Sequence, residues 1–156
     1  MRTLDIRVDD LSGEPTRALV ALHLSGMHAH SPPGRVHALD LSELRAPTVT
    51  VWSAWNGPAL AGIAALKELG GGTGELKSMR THPSHLRQGV AAALLEHIIG
   101  EARRRGLRRL GLETGRDPTF APALALYRKR GFVDCEASAD YRPNDFSQFL
   151  CLTLAP

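Results

Sequence analysis

His85-Leu86-Arg87-Gln88-Gly89-Val90-Ala91 runs directly into Ala92-Ala93-Leu94-Leu95, and the reading of this stretch decides the fold. Upstream, Glu75 to Thr81 has the composition of a strand. Downstream, Val90 to Arg105 carries helical spacing, with Val90, Leu94, Leu95, Ile98 and Ala102 on one face. A glycine turn that opens a helix aims several free backbone N–H groups at one point, where the helix dipole also favours negative charge. Gly89 lets a ligand approach bare backbone, and Ala91 keeps the first turn uncrowded. The turn is therefore a candidate receptor for phosphate. The G-x-G-x-x-G dinucleotide fingerprint is absent, as is the Gly-Lys-Ser/Thr of a nucleoside triphosphate loop. A phosphate held here belongs to some other ligand.

Working outward toward the N-terminus, Leu4, Ile6 and Val8 alternate with polar residues as in a strand. Glu14 to Leu24 reads as a helix with Ser12 as a cap, and Met27 to Pro33 as irregular chain. Val36 to Leu44 reads as a second helix that stops before Pro47. Thr48 to Trp55 and Ala59 to Leu69 form a hairpin about Asn56-Gly57, and Gly70-Gly71-Gly72 is a turn. Toward the C-terminus, Gly106 ends the long helix and Arg108 to Thr114 is a strand. A loop from Gly115 to Pro122 leads to a helix over Ala123 to Arg130 that Gly131 caps. Phe132 to Ala137 and Phe146 to Leu154 make a final antiparallel pair. The result is one mixed α/β domain over residues 1–156, with strands before and after a central β-α-β unit.

Composition narrows the partners. In 156 residues, 19 basic and 16 acidic side chains leave a net charge of +3, too mild to indicate nucleic acid. No apolar run approaches the ~20 residues of a membrane span, and Met1 to Asp10 alternates charge with apolar residues, unlike a signal peptide. Cys135 and Cys151 make no disulfide framework, sit in apolar strand contexts and read as small core residues. No Cys/His spacing suggests a metal, so none is expected. A reduced, cytoplasmic setting is the default expectation. Arg103-Arg104-Arg105, with Arg108 and Arg109, is the one dense basic patch. It reads either as a solvated helix C-terminus that complements the dipole or as help for coenzyme phosphates.

The order strand, glycine turn, helix, strand, helix with Leu126-Tyr127, then Gly131-Phe132 resembles the GNAT superfamily of acyl-coenzyme A-dependent N-acyltransferases. That family's turn signature is Gln/Arg-x-x-Gly-x-Gly/Ala. Gly89, Val90 and Ala91 match it, while its first position falls on Leu86, with Arg87 and Gln88 one and two places late. The second signature, Leu-Tyr-x-x-x-Gly-Phe, is matched by Leu126, Tyr127, Gly131 and Phe132. The resemblance covers roughly residues 48 to 154. It implies an α/β (α+β) fold with a mixed, mostly antiparallel central sheet flanked by helices and split between its two central strands.

The resemblance also implies acetyl-CoA as cosubstrate and direct transfer of its acetyl group to the primary amine of a small molecule. A homodimer through the strand Phe146 to Leu154 is expected by fold analogy. By carry-over, the amides of Arg87, Gln88, Gly89, Val90, Ala91 and Ala92 hold the pyrophosphate. The backbone of Met79, Arg80 and Thr81 lies along the pantetheine arm. The place where many members carry an Asn before the motif tyrosine holds Phe120.

Transfer to an amine needs a base for the nitrogen and an acid for the departing sulfur. Glu75, opening the strand before the turn, is the candidate base, and desolvation would favour that role. It is equally placed to pair with Lys77 on the same strand face. Glu113 is the rival base and otherwise a substrate contact. Tyr127 is the candidate acid, and otherwise a half-buried aromatic. His82 and His85 flank the turn as solvent-facing residues. The acceptor side in this family implicates the region of His28, His30, Ser31, Arg35 and His37, with Trp52 and Trp55 either beside it or in the core. His28, Ser31, Lys77 and Glu113 are the substrate candidates. With Lys77 and Arg80 the pocket is cationic and suits an acceptor that also bears a carboxylate or phosphate. Two other readings stand beside the enzyme. One is a non-catalytic acyl-CoA sensor, which would dispense with Glu75 and Tyr127. The other is a protein lysine acetyltransferase, which would call for an acidic groove.

Overall fold

β-Branched and aromatic residues from Val49 to Asn56 form a strand (β2) that returns as Ala59–Gly70 (β3) through the Asn-Gly turn, where Gly57 takes φ 60°. The computed structural model describes residues 3–29, 40–116, 118–136 and 147–154. Before this hairpin come Asp5–Val8 (β1), Glu14–Ala29 (α1) and Leu41–Leu44 (α2); after it come Thr73–Thr81 (β4), Val90–Arg104 (α3), Arg109–Gly115 (β5), Ala121–Arg130 (α4), Val133–Asp134 (β6) and Ser147–Thr153 (β7). The sheet order is β1-β2-β3-β4-β5-β7-β6, and only the β4–β5 pair is parallel.

The two faces of the sheet carry separate cores. Leu94, Leu95 and Ile98 of α3 pack with Leu66, Leu76, Leu110, Leu112 and Leu150, together with Tyr127 and Phe132. On the other face Leu19 and Val20 of α1 and Leu44 of α2 pack with Val51, Ile63 and Ala65. Gly62 permits a close approach of α3 to β3. A Cβ there would lie 2.7 Å from Val90 Cγ1 and 3.0 Å from the Arg80 carbonyl oxygen, so the first turn of α3 rests on bare β3 backbone.

Two irregularities of β4 shape the centre of the sheet. First, its ladder with β5 runs only from Thr73↔Arg109 to Leu76↔Leu112, although β4 continues to Thr81 and β5 to Gly115. The two central strands therefore part beyond Leu76, which is the expected split. Second, Ala65 faces Lys77 while Ile63 faces Arg80, so β4 spends three residues where β3 spends two. Ser78 carries the bulge at φ 53°. Without it Lys77 and Arg80 would point to opposite faces; with it both point to the α1 side, in line with Glu75.

Several expectations need correction. α1 runs five residues past Leu24, to Ala29, because Met27-His28-Ala29 contains no breaker and the prolines lie further on. Ser12 does not cap it: its hydroxyl donates to Asp10 at 2.6 Å, and the first helical bond goes from Arg17 N–H to the Gly13 carbonyl. The second helix cannot span Val36 to Leu44, since Asp40 is an extended N-cap whose carboxylate accepts from Glu43 N–H in a capping box; residues 36–39 lie outside the described part. β7 lies between β5 and β6, but β6 is two residues long and covers only Leu150 and Cys151 of it, so the expected pairing of Phe146 to Leu154 across a dimer would have to use the remainder of that edge.

Cys135 and Cys151 are not separate core residues; they form a disulfide across the β6–β7 hairpin. The hairpin register sets Val133 opposite Cys151 and brings Cys135 N–H to the Phe149 carbonyl. Closing a loop of separation 16 restricts the unfolded chain by roughly 3 kcal/mol. Dithiothreitol, or Cys135→Ser, is thus expected to lower unfolding free energy by about that amount, read as a drop in the urea midpoint of oxidised protein. An unchanged midpoint would mean the bridge constrains nothing.

Candidate active site

The stretch Leu86 to Ala92 contains the turn between β4 and α3. A short 3₁₀ turn, Pro83–His85, leads in, with the His82 ring nitrogen accepting from Ser84 N–H at 3.0 Å. Arg87 and Gly89 then take left-handed backbone, φ 62° and 79°. For Arg87 this is an unfavourable conformation of the kind that concentrates at functional sites. α3 has no side-chain cap, and its first bond goes from Ala93 N–H to the Gly89 carbonyl. Among the described residues no protein acceptor takes the amides from Leu86 to Ala92. A Cβ on Gly89 would meet nothing within 4 Å, so the turn opens outward. Unpaired donors, a helix start and free space together suit a diphosphate.

Glu75 lies at the apex of the split, paired in register with Gly111 one residue before the ladder ends. Its carboxylate is 4% exposed as a residue and meets Lys77 Nζ at 2.7 Å. Both members of the expected pair are thus brought together, and the pairing that competes with the base role is real. Glu75 also borders a cavity of about 320 Å³ on the α1 side of the sheet, walled by Gly111, Phe149 and the Cys135–Cys151 bridge. Glu113, half-buried, stands two residues beyond Gly111, on the β5 wall past the last β4 contact. Met79, Arg80 and Thr81 fall on the β4 wall of the split.

Tyr127 lies across the sheet. Its ring packs 5.8 Å from that of Phe132 and belongs to the same buried cluster as Leu76 and Leu112, the last pair of the β4–β5 ladder. Burial pushes its hydroxyl up to about 12, so the proton stays on oxygen throughout the neutral range. Glu75 and Tyr127 thus belong to opposite faces of the sheet.

Other candidates separate. His28 lies in the last turn of α1, and His30, Ser31, Arg35 and His37 lie outside the described residues. His82 and His85 are half-buried rather than fully solvent-facing, with rings 5.9 Å apart. The basic patch is not at the turn. Arg104 and Arg105 pair with Glu101, Arg105 also with Glu68 at 3.2 Å, at the far end of a helix roughly 22 Å long. Trp52 is core, edge-on to His97 and beneath Arg105; Trp55 is held by Ser53 and Arg7.

Three residues at this site had no sequence signal. Ser78, as a non-glycine bulge, carries no turn signature. His23 and Gly26 form no motif, yet they sit three apart on the α1 face toward β4. The Arg80 guanidinium lies against Gly26, where a Cβ would stand 3.0 Å from both Nη atoms.

Comparison with known proteins agrees with this geometry. The Acetyltransferase (GNAT) family matches residues 16–132. The chain is 55% identical over 149 residues to "Uncharacterized N-acetyltransferase YedL" of Escherichia coli (strain K12), covering 96% of this chain and 94% of that protein. A structure from Klebsiella pneumoniae subsp. pneumoniae MGH 78578, assigned as an acyl-CoA N-acyltransferase, superposes with a TM-score of 0.82 at 28% identity, covering 98% and 99% of the two chains. A Bacillus subtilis acetyltransferase in complex with CoA shares the fold with a TM-score of 0.74 at 20% identity over 98% and 100%. With its split sheet, its open glycine turn and these matches, the chain belongs to the GNAT family and is an acyltransferase of the N-acetyltransferase type.

Proposed function

We propose that the protein moves an acetyl group from acetyl-CoA directly to the primary amine of a small molecule, with Glu75 as base and Tyr127 as acid. The observation that carries this is the open turn of unpaired amides that follows the split strand β4; a buried carboxylate at Glu75 and a protonated phenol at Tyr127 support it. Acetyl-CoA supplies an activated thioester. The amides of Arg87 to Ala92 hold its pyrophosphate, and the unpaired edge of Met79 to Thr81 guides the pantetheine arm. Glu75 takes a proton from the amine as nitrogen bonds to carbon. Tyr127 hydrogen-bonds the departing sulfur. Lys77 and Glu113 line the acceptor's approach. No metal takes part.

The presence of both groups favours an enzyme over a sensor. The cations Lys77 and Arg80 beside the split favour a small acceptor over a basic lysine-bearing peptide. A cytoplasmic setting goes with this reading. Among the described residues no helix is long and apolar enough to cross a membrane.

A ligand that prefers the folded state raises its stability, by about 2.7 kcal/mol at 100 times Kd. For a chain of this size that is a rise of roughly 5–11 °C in Tm. Acetyl-CoA is expected to give such a rise, and a panel of primary amines to release free thiol from it. No shift at millimolar acetyl-CoA would reject the proposal.

A further inference from the structure

Three cationic or titratable side chains crowd the α1 side of the split, and their partners differ. Lys77 is matched by Glu75 at 2.7 Å. Arg80 is half-buried, and among the described residues no hydrogen bond or ion pair engages its guanidinium. The third is His23, 8% exposed, whose Nδ1 has no hydrogen-bond partner. Burial, and then the charge of Arg80, lower His23 to about 4, so at neutral pH it adds no charge of its own.

Two backbone devices place this guanidinium. The Ser78 bulge turns Arg80 to the same face as Glu75 and Lys77. Gly26 leaves a flat patch of helix for it to lie on. A half-buried guanidinium whose five donors no protein group engages stays open to an oxyanion. Its planar fork matches a carboxylate with two parallel hydrogen bonds. By strand rise, its Cα is about 13 Å from that of Glu75 along the sheet, on the same face and with Lys77 between them.

We propose that Arg80, seated against Gly26 beside His23, binds a carboxylate of the acceptor, so that the substrate class is an amine that also carries a carboxylate. This rests on the acetyl-transfer reading above. The neutral His23 imidazole lines the anion's far side and takes up a proton more readily once the anion is bound.

The test compares free amino acids with their C-terminal amides as acceptors, measured by thiol release from acetyl-CoA. The free acids are expected to exceed the amides in kcat/KM by about 10- to 100-fold, the range of a charged hydrogen-bonded contact. In Arg80→Gln that ratio falls toward one. In Gly26→Ala, which keeps the charge but pushes the guanidinium aside, it falls partway. A second readout needs no turnover. Acetate is titrated into the protein while the His23 ring protons are followed by NMR, with a saturable shift expected in the native chain and none in Arg80→Gln. Equal use of acids and amides, or an acetate response that survives Arg80→Gln, would overturn the assignment. If acetyl-CoA raises Tm while acids and amides are used alike, only the carboxylate site fails. If acetyl-CoA gives no shift, the acetyl-transfer reading fails with it.

Discussion

Glu75→Gln is expected to lower kcat by about 10²- to 10⁴-fold, the usual contribution of a positioned base, while the acetyl-CoA-induced rise in Tm survives. The complication is Lys77. Its ammonium lies 2.7 Å from the carboxylate in a place where both side chains are about 5% exposed. Removing one partner of a buried pair costs on the order of 3–5 kcal/mol, because the other charge is left uncompensated. The single variant should therefore lose both activity and stability, and a drop in rate alone would prove little. Glu75→Gln with Lys77→Met separates the two effects. Taking out both charges is expected to restore most of the stability, with kcat remaining low. Recovery of kcat in the double variant would make the pair purely structural. Glu113, on the facing wall of the split, would then be the base to test.

The parts of this protein that repeat a simple period were legible in its sequence. α3 keeps one apolar face from Val90 to Ala102, and helix and glycine turn appear where that spacing begins. The pair Leu126-Tyr127 and Gly131-Phe132 marked α4 and its left-handed cap at Gly131, φ 110°. What escaped depends on contacts between distant segments. The face on which Arg80 emerges is set by a bulge at Ser78, a residue type with no preference for φ 53°. Under strict alternation, Arg80 belongs to the face opposite Lys77. The disulfide arises from the register of a two-residue strand against β7, and no spacing rule supplies that register. The contact of Gly26 with Arg80 joins α1 to β4, and no local pattern announces it. The charge pair of Glu75 and Lys77 was legible as a geometric option, since i and i+2 share a strand face. Its burial, which makes it matter, was not.

Tyr127→Phe is expected to leave the fold nearly untouched and to reduce kcat by about 10²-fold or more. The ring packs on Phe132 and within the α3-side core, and phenylalanine keeps that shape. Only the hydroxyl is lost. Burial raises that hydroxyl to about 12, and the value limits what the group can do. A coenzyme thiol resembling cysteine has a pKa of about 8.5. Outright transfer of the phenolic proton to its thiolate is therefore uphill by roughly 5 kcal/mol at about 1.4 kcal/mol per unit. Tyr127 acts better by donating a hydrogen bond to sulfur as negative charge builds, with the proton reaching sulfur finally from water. The same value sets the sign of the pH dependence. A tyrosine of ordinary pKa would ionise near 10 and lose its donor, so the rate would fall there. With its folded value near 12, Tyr127 keeps its proton, and kcat should show no alkaline decline assignable to this group below about pH 11. The check is a pair of kcat–pH profiles with CoA binding measured alongside. The native enzyme should hold its rate through pH 10 and Tyr127→Phe should be low throughout with unchanged CoA affinity. A native decline near pH 10 that vanishes in Tyr127→Phe would show instead that the hydroxyl is wet and ionises freely, and a variant with full kcat would remove Tyr127 from the chemistry.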